Sequence, residues 1–333
     1  MIRQITTLVR LLGIALSIGA GSLMVASCGS SSNRPANPPD PSLDESQASD
    51  AEAGAVAEGE KAIASGNYMQ ARKDFSQILS RHPNHPKANH YMGVVLEKLN
   101  DTRNAESYYR KAISIAPDLV DSVMNLSALL IDAGEYEEAE AILVESSKKN
   151  PKDPLLLVNL AYARLGTKNF KGAREAFAAA LAISDTPEVR LGLADVEIRN
   201  GTHQEALPHI RRAKELAASD VGILAECAEL YRLAHSPSLC IETLNQAISI
   251  KPDTQLYANR ALCKQMNKNL PEAKADYQKA INADPNYAPA YFMYGRFLLE
   301  VEHNKTEAIN AFETCARIAP RSDCQRHADA ARK

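Results

Sequence analysis

The stretch "YMGVVLEKLNDTRNAESYYRKAISIAP", residues 91–117, contains the pattern that decides the fold. Asn100-Asp101 interrupts it, and asparagine tolerates the left-handed backbone conformation that ends a helix. Ala105 is small enough to let two helix axes approach closely, and Tyr109, one turn later, fills the groove beside it. Pro117 cannot continue a helix. The stretch therefore predicts two helices joined by a tight turn.

The same pattern recurs along most of the chain. Small residues in one phase, at spacings of 33 to 35 residues, are Ala71, Ala105, Ala139, Ala173, Ala206, Cys240, Ala273 and Ala308. Four residues after each lies a bulky one: Phe75, Tyr109, Leu143, Phe177, Ile210, Leu244, Tyr277 and Phe312. Prolines twelve residues after a small position are Pro83, Pro117, Pro151, Pro252, Pro285 and Pro320. This periodicity predicts an array of stacked units rather than a single globular core.

Residues 91–117 and "LPEAKADYQKAINADP", residues 270–285, resemble the tetratricopeptide repeat, a helix–turn–helix unit of about 34 residues. The resemblance implies an all-α fold, a right-handed superhelical solenoid of about eight repeats. Composition agrees, because aromatic residues make up only 5% and Trp is absent, which suits close-packed helices better than a β-sandwich. The usual Trp near each repeat start is missing, and repeats five and six match least well.

The predicted organisation has four parts. Residues 1–27 form a lipoprotein signal peptide, residues 28–51 a lipidated cysteine with a flexible tether, residues 52–321 the repeat array and residues 322–333 a C-terminal cap. The repeats are predicted at 52–85, 86–119, 120–153, 154–186, 187–220, 221–253, 254–287 and 288–321.

The N-terminal residues have the layout of a secretory signal. Arg3 and Arg10 precede an apolar run, Leu11 to Ala26, which is short for a membrane-spanning helix. Val25-Ala26-Ser27-Cys28 resembles the bacterial lipobox, and the resemblance implies that Cys28 is lipidated and that Gly29 favours the outer membrane. The alternative is an ordinary signal peptide cut nearby, which would leave Cys28 free. The polar residues after Cys28 bury too little apolar surface to fold and predict a tether.

Three asparagines indicate a binding surface. Asn125, Asn159 and Asn259 occupy the same point of the first helix in repeats three, four and seven. The resemblance to peptide-binding repeats implies that this point lies on the concave face, where an amide can hold a peptide backbone. Tyr91 and Tyr162 complete the predicted peptide-binding or partner-binding set. The alternative is that each asparagine satisfies a neighbouring helix end.

The last third of the chain carries two further candidates. Tyr291, Phe292 and Arg296 belong to an aromatic-rich stretch that predicts either an exposed partner patch or the packing of an end cap. Cysteines are also concentrated in this third. Cys315 and Cys324 could close a short loop, while Cys240 could pair with Cys227 or Cys263, or these three could remain buried free thiols.

The sequence gives no sign of catalysis. It contains no phosphate-binding loop, no nucleophile elbow and no Cys-x-x-Cys pair. His82 and His85 flank Pro83 in a predicted turn between repeats and His90 lies on the next predicted helix, so these histidines are interpreted as solvated rather than as metal ligands. The net charge of −3 disfavours nucleic-acid binding. We therefore expect no enzyme activity, no cofactor, no metal and no small-molecule substrate.

Together these features predict a scaffold that binds protein or peptide partners and attaches through lipid to the periplasmic side of a bacterial outer membrane. Its build is similar to that of type IV pilus pilotins and tight-adherence pilus lipoproteins, which implies a role in assembling an envelope machine such as a pilus secretin. One alternative is an adaptor for peptidoglycan hydrolases or proteases. Another is a non-catalytic part of an envelope polysaccharide export or synthesis complex.

Overall fold

The computed structural model describes residues 45–320 and 322–332, and within these ranges the chain is all-α without strands. The helices are α1 Glu45–Ala64, α2 Tyr68–Arg81, α3 Pro86–Lys98, α4 Thr102–Ile115, α5 Val120–Ala133, α6 Tyr136–Lys149, α7 Pro154–Gly166, α8 Phe170–Ile183, α9 Pro187–Arg199, α10 His203–Leu216, α11 Val221–Leu233, α12 Pro237–Ile250, α13 Thr254–Met266, α14 Leu270–Ala283, α15 Ala288–Glu300, α16 Lys305–Ile318 and α17 Cys324–Arg332. The predicted all-α class is confirmed.

Successive helices form antiparallel pairs, α1 with α2 through α15 with α16, and each pair corresponds to one predicted repeat. The first helix begins at Glu45, seven residues before the predicted array boundary, so part of the predicted tether is helical. The signal peptide, Cys28 and the rest of the tether lie outside the described residues. No described helix has the length and apolar character needed to cross a membrane.

The chain divides into two compact units, one ending at Ile183 and the other beginning at Ser184. Within the described residues, unit 1 contains the four pairs α1 to α8. Unit 2 contains the four pairs α9 to α16 and the additional helix α17.

The turn inside each pair contains one residue with left-handed backbone. These residues are Gly66, Asn100, Gly134, Lys168, Gly201, His235, Lys268 and His303, with φ between 54° and 85°. Asn100 lies in the turn that the sequence predicted at Asn100-Asp101. The left-handed conformation costs a residue with a Cβ roughly 1–2 kcal/mol, so the non-glycine examples are stabilised by the helix packing on either side.

The small and bulky positions of the repeat form the core of each pair. All eight small residues and all eight bulky residues are at most 1% exposed. Gly93 explains how closely the helices approach, because a Cβ added there would lie 2.6 Å from the ring of Tyr109. Likewise, a Cβ added at Gly295 would lie 2.8 Å from the ring of Phe312. A larger residue at either position would force the two helices apart.

The far end of unit 2 is closed by α17, in the place predicted for a cap. Ala328 packs into a buried cluster with Phe312 and Leu298. The disulfide Cys315–Cys324 joins α16 to α17, as the sequence predicted. A second disulfide, Cys240–Cys263, joins α12 to α13 and selects one of the two predicted partners of Cys240. Cys227 is a buried free thiol.

Candidate partner-binding surfaces

Two of the three predicted peptide-binding asparagines are committed to contacts inside unit 1. Asn125 is 8% exposed, and its Nδ2 donates to the Tyr109 hydroxyl at 3.3 Å. Asn159 is 2% exposed, and its Nδ2 donates to the Met124 carbonyl at 3.3 Å and to Ser127 Oγ at 3.2 Å. These contacts correct the expectation of a peptide-gripping role, because the amide donors already hold neighbouring repeats together. Neither residue satisfies a helix end, as the alternative expected, because the partners are the Tyr109 side chain and groups of Met124 and Ser127 within α5.

Other polar groups extend this buried set of hydrogen bonds. The Tyr109 hydroxyl donates to Glu97 Oε2 at 3.1 Å, and His90 Nδ1 lies 2.9 Å from Ser122 Oγ. Burial lowers the pKa of His90 to about 4, so its ring is neutral at ordinary pH. A buried polar group that loses its partner costs roughly 1–3 kcal/mol. These contacts therefore fix the register between repeats.

The two predicted tyrosines also pack within unit 1. Tyr162 is fully buried, with its ring centroid 5.1 Å from that of Phe177, and so corrects the expectation that it faces a ligand. Tyr91 is half-buried and stacks on Phe75 at 5.4 Å. Burial and a hydrogen bond with Glu60 raise the pKa of Tyr91. Tyr91 thus keeps an accessible edge, whereas Tyr162 belongs to the core.

Unit 2 presents different chemistry at the asparagine position. Asn259 is half-buried there, and in the preceding repeat Glu226 stands at the equivalent point of α11. Burial and the nearby carboxylates of Glu188 and Asp220 raise the pKa of Glu226 to about 7. Within the described part of the chain, no cation pairs with Glu226. Glu226 was not among the predicted site residues, although its helix position, equivalent to that of Asn259, was the available signal.

Unit 1 carries a related carboxylate on the first helix of its third pair. Asp121 is half-buried on α5. Burial and the charge of Asp153 raise the pKa of Asp121. Asp153 itself caps α7 by accepting from the backbone N–H groups of Leu155 and Leu156. Both units therefore place a half-buried carboxylate, near another carboxylate, on the first helix of a pair.

The predicted terminal patch separates into three environments. Phe292 packs on the cap, with its ring centroid 5.0 Å from that of His327 and 5.9 Å from that of Phe312. Arg296 is exposed, and its Nε lies 2.8 Å from Glu300 Oε1. Tyr291 is half-buried and lines a groove. Phe292 therefore packs on the cap, Arg296 is exposed, and Tyr291 contributes to the surface of the groove.

The described residues contain no cluster of three side chains arranged to hold a metal ion. His82 Nε2 and His85 Nε2 each lie 3.8 Å from Glu52 Oε1. His85 Nδ1 accepts from the backbone N–H of Ala88 at 3.1 Å, so the neutral ring carries its proton on Nε2 and offers no lone pair there. At 3.8 Å the two Nε2 atoms are beyond hydrogen-bond distance of Glu52, so these are contacts between neighbouring polar groups only.

Comparison with known proteins identifies the repeat. Models described as tetratricopeptide repeat match residues 56–119, 96–165, 254–287 and 276–309. Hsp70-Hsp90 organizing protein 3 of Arabidopsis thaliana is 25% identical over 216 residues, which cover 61% of this chain and 37% of that protein. The Hsp70-Hsp90 organizing protein of Triticum aestivum is 26% identical over 213 residues, which cover 60% of this chain and 35% of that protein. The chain thus spans about a third of the length of these relatives.

Solved structures show the same fold. Yeast Tom70 matches with a TM-score of 0.60 at 17% identity, covering 98% of this chain and 69% of that one. A tetratricopeptide repeat protein from Parabacteroides merdae matches with a TM-score of 0.58 at 17% identity, covering 73% of this chain and 97% of that one. PilF from Pseudomonas aeruginosa matches with a TM-score of 0.52 at 21% identity, covering 63% of this chain and 96% of that one.

Proposed function

Because the chain is a tetratricopeptide repeat protein, we propose that it is a scaffold that binds a basic segment of a protein partner through the first helices of its repeats. The observation that carries the proposal is Glu226, a half-buried carboxylate without a cationic partner in the described part of the chain, close to Glu188 and Asp220. Like charges near a half-buried carboxylate disfavour its ionised form. A lysine or arginine of a partner would offset this cost.

The proposal is tested by crosslinking and pull-down from membranes, followed by binding measurements on peptides that tile each recovered protein. We expect the bound peptides to contain Lys or Arg, and we expect their affinity to fall when those residues are replaced by Gln. Affinity should also fall as salt is raised, because the interaction is electrostatic. Peptides that bind equally well without their basic residues would contradict the proposal.

Replacing Glu226 with Gln should stabilise unit 2 and weaken peptide binding together. The raised pKa means that Glu226 lowers folding stability as pH rises from about 4.5 to about 7, because the folded state binds more protons than the unfolded state in that window. Glu226→Gln removes this loss, so at pH 8 we expect a gain of about 1–2 kcal/mol after allowance for solvent screening. Denaturant unfolding at pH 5 and pH 8 measures the difference.

A matched control is Glu205→Gln, which removes the same charge from the exposed surface of α10 in the same unit. It should change stability by less than about 0.5 kcal/mol at either pH and leave peptide affinity unchanged. Equal effects of the two substitutions would show that net charge, and not the position of Glu226, controls binding.

We further propose that the scaffold works in the bacterial envelope, anchored through Cys28 and facing the periplasm from the outer membrane. The signal-like run from Leu11 to Ala26 and the lipobox-like residues before Cys28 support this location. The disulfides Cys240–Cys263 and Cys315–Cys324 add support, because disulfides persist in oxidising compartments such as the periplasm.

Lipid attachment is tested by metabolic labelling with palmitate in a bacterial host. We expect the full chain to incorporate the label and to fractionate with membranes, and we expect Cys28→Ala to lose both properties. Cys227→Ala is the control, because that thiol is buried within a repeat and should not carry a lipid. Persistent labelling of Cys28→Ala would contradict the anchor.

Within the envelope, we propose that the protein helps to assemble a pilus secretin, because its repeat architecture is similar to that of pilotins. The adaptor role for peptidoglycan hydrolases or proteases is the second candidate, and the membrane pull-down separates the two. Recovery of a secretin supports the first. Recovery of hydrolases without any secretin supports the second and contradicts the first.

A further inference from the structure

A groove of about 450 Å³ opens in unit 2 between α14 and α16, with α15 as its floor. We call it the terminal groove. Its lining residues are Gln278, Ile281, Asn282, Tyr291, Tyr294, Leu298, Glu307, Asn310, Ala311 and Thr314. The size lies within the range of sites that hold small molecules, which combine an apolar and aromatic surface with a few polar groups.

The polar rim of the terminal groove has unused hydrogen-bonding capacity. The amides of Gln278 and Asn282 on α14 and of Asn310 on α16 have no hydrogen-bond partner among the described residues. Each amide offers two donor hydrogens and one acceptor oxygen. Two sets of amides therefore face the groove from opposite helices, where a ligand that both donates and accepts could bridge them.

The floor is apolar because the last repeat departs from the repeat before it. Tyr294, Leu298 and Ala311 stand where the seventh repeat has Arg260, Lys264 and Asp276. In the seventh repeat Arg260 Nε and Lys264 Nζ each lie 2.7 Å from Asp276 Oδ2. Their replacement by two larger apolar side chains and one methyl group leaves an uncharged floor beneath the amide rim.

We propose that the terminal groove binds an oligosaccharide of N-acetylated amino sugars. The ring face of a pyranose would pack on Tyr291, its acetamido methyl would contact Ile281 and Ala311, and its acetamido N–H and C=O would pair with the rim amides. Aromatic side chains supply a large apolar surface with a polar handle, which suits a ligand with one apolar face and one hydroxylated edge.

The charges of the lining residues disfavour anionic ligands. Glu307 is the one charged side chain among the described residues that line the groove, and none is basic. A phosphate, a nucleic acid or a peptide carboxylate would therefore find no countercharge and would be repelled by Glu307. A neutral sugar meets neither difficulty. The charges therefore disfavour anionic ligands, and the neutral amides above an apolar floor suit a hydroxyl-rich ligand.

The test is isothermal titration calorimetry of the full chain with the trisaccharide of N-acetylglucosamine, compared with cellotriose, which has the same linkage and lacks the acetamido groups. We expect saturable binding of the first at one site and affinity at least tenfold lower for cellotriose. No saturable binding of the N-acetylated trisaccharide, or equal affinities for the two sugars, would overturn the proposal.

Variants locate the site. Tyr291→Ala and the exposed Asn310→Leu should each lower affinity for the N-acetylated trisaccharide about three- to tenfold. Tyr257→Ala, at the equivalent helix position of the seventh repeat, should leave affinity unchanged. Circular dichroism melting of each variant separates lost binding from lost folding. A loss in Tyr257→Ala as large as that in Tyr291→Ala would overturn the assignment to the terminal groove. None of these outcomes depends on the proposed protein partner.

Discussion

Replacing Asp276 with Ala is expected to lower the free energy of unfolding of unit 2 by about 3–5 kcal/mol. Asp276 is 1% exposed. It accepts from Arg260 Nε and Nη2, each at 2.7 Å, and its Oδ2 also lies 2.7 Å from Lys264 Nζ. Removing the carboxylate leaves two largely buried cations without their counterion, which costs more than the pair contributes when intact.

Urea denaturation of the full chain, followed by circular dichroism, measures this effect. The control is Glu300→Ala, which breaks the exposed pair between Arg296 and Glu300 and should cost less than about 1 kcal/mol. A triple variant with Asp276→Leu, Arg260→Met and Lys264→Met should recover most of the stability, because it removes the buried charges together. Equal losses in Asp276→Ala and Glu300→Ala would contradict the explanation.

The effect should also depend on pH. Burial alone would raise the pKa of Asp276, but the hydrogen bonds and charges of Arg260 and Lys264 outweigh burial and hold the pKa below its ordinary value. A group with a lowered folded-state pKa stabilises the fold above its unfolded pKa, which is about 3.9 for Asp. This contribution is lost as pH falls through the folded-state pKa. The difference in the free energy of unfolding between the wild-type chain and Asp276→Ala should therefore become smaller below about pH 4.

The fold was predictable because its determinants are local and repeated. Ala105 and Tyr109 exemplify a pair of positions whose burial follows from spacing alone, and the same relation holds in every repeat. The turn at Asn100 was predictable for the same reason, since few residues tolerate positive φ. The start of α1 at Glu45 was not predictable from the repeat period, because the added turns precede the first repeated position.

The site was less predictable because one helix position has several roles. Asn125 and Asn159 share a position with Glu226 and Asn259, but neighbouring residues decide whether a side chain there is satisfied internally. Asn159 bonds to Ser127 in the preceding repeat, whereas the carboxylates of Glu188 and Asp220 act on Glu226 and no cation pairs with it among the described residues. These hydrogen bonds and charge interactions form between neighbouring repeats. They therefore cannot be predicted from the sequence of one repeat alone.

Removing the disulfide Cys240–Cys263 should cost unit 2 roughly 3.5 kcal/mol. The two cysteines are 23 residues apart, against 9 for Cys315 and Cys324. In the chain-entropy account, the longer loop restricts the unfolded chain more, so the second disulfide should contribute roughly 2.5 kcal/mol. The comparison uses Cys240→Ala with Cys263→Ala against Cys315→Ala with Cys324→Ala, each measured by urea denaturation.

A reductant provides the independent test. It should destabilise the wild-type chain by about the sum of the two effects, and it should destabilise each double variant only by the contribution of its remaining disulfide, since distant sites add nearly independently. Unit 1 has no cysteine among its described residues, so its unfolding should not respond to the reductant. A chain whose stability is unchanged by reduction would contradict a structural role for the disulfides, and it would also remove their support for an oxidising compartment. Because the Cys240–Cys263 disulfide ties α12 to α13, its loss should loosen the seventh repeat next to the buried Asp276 network.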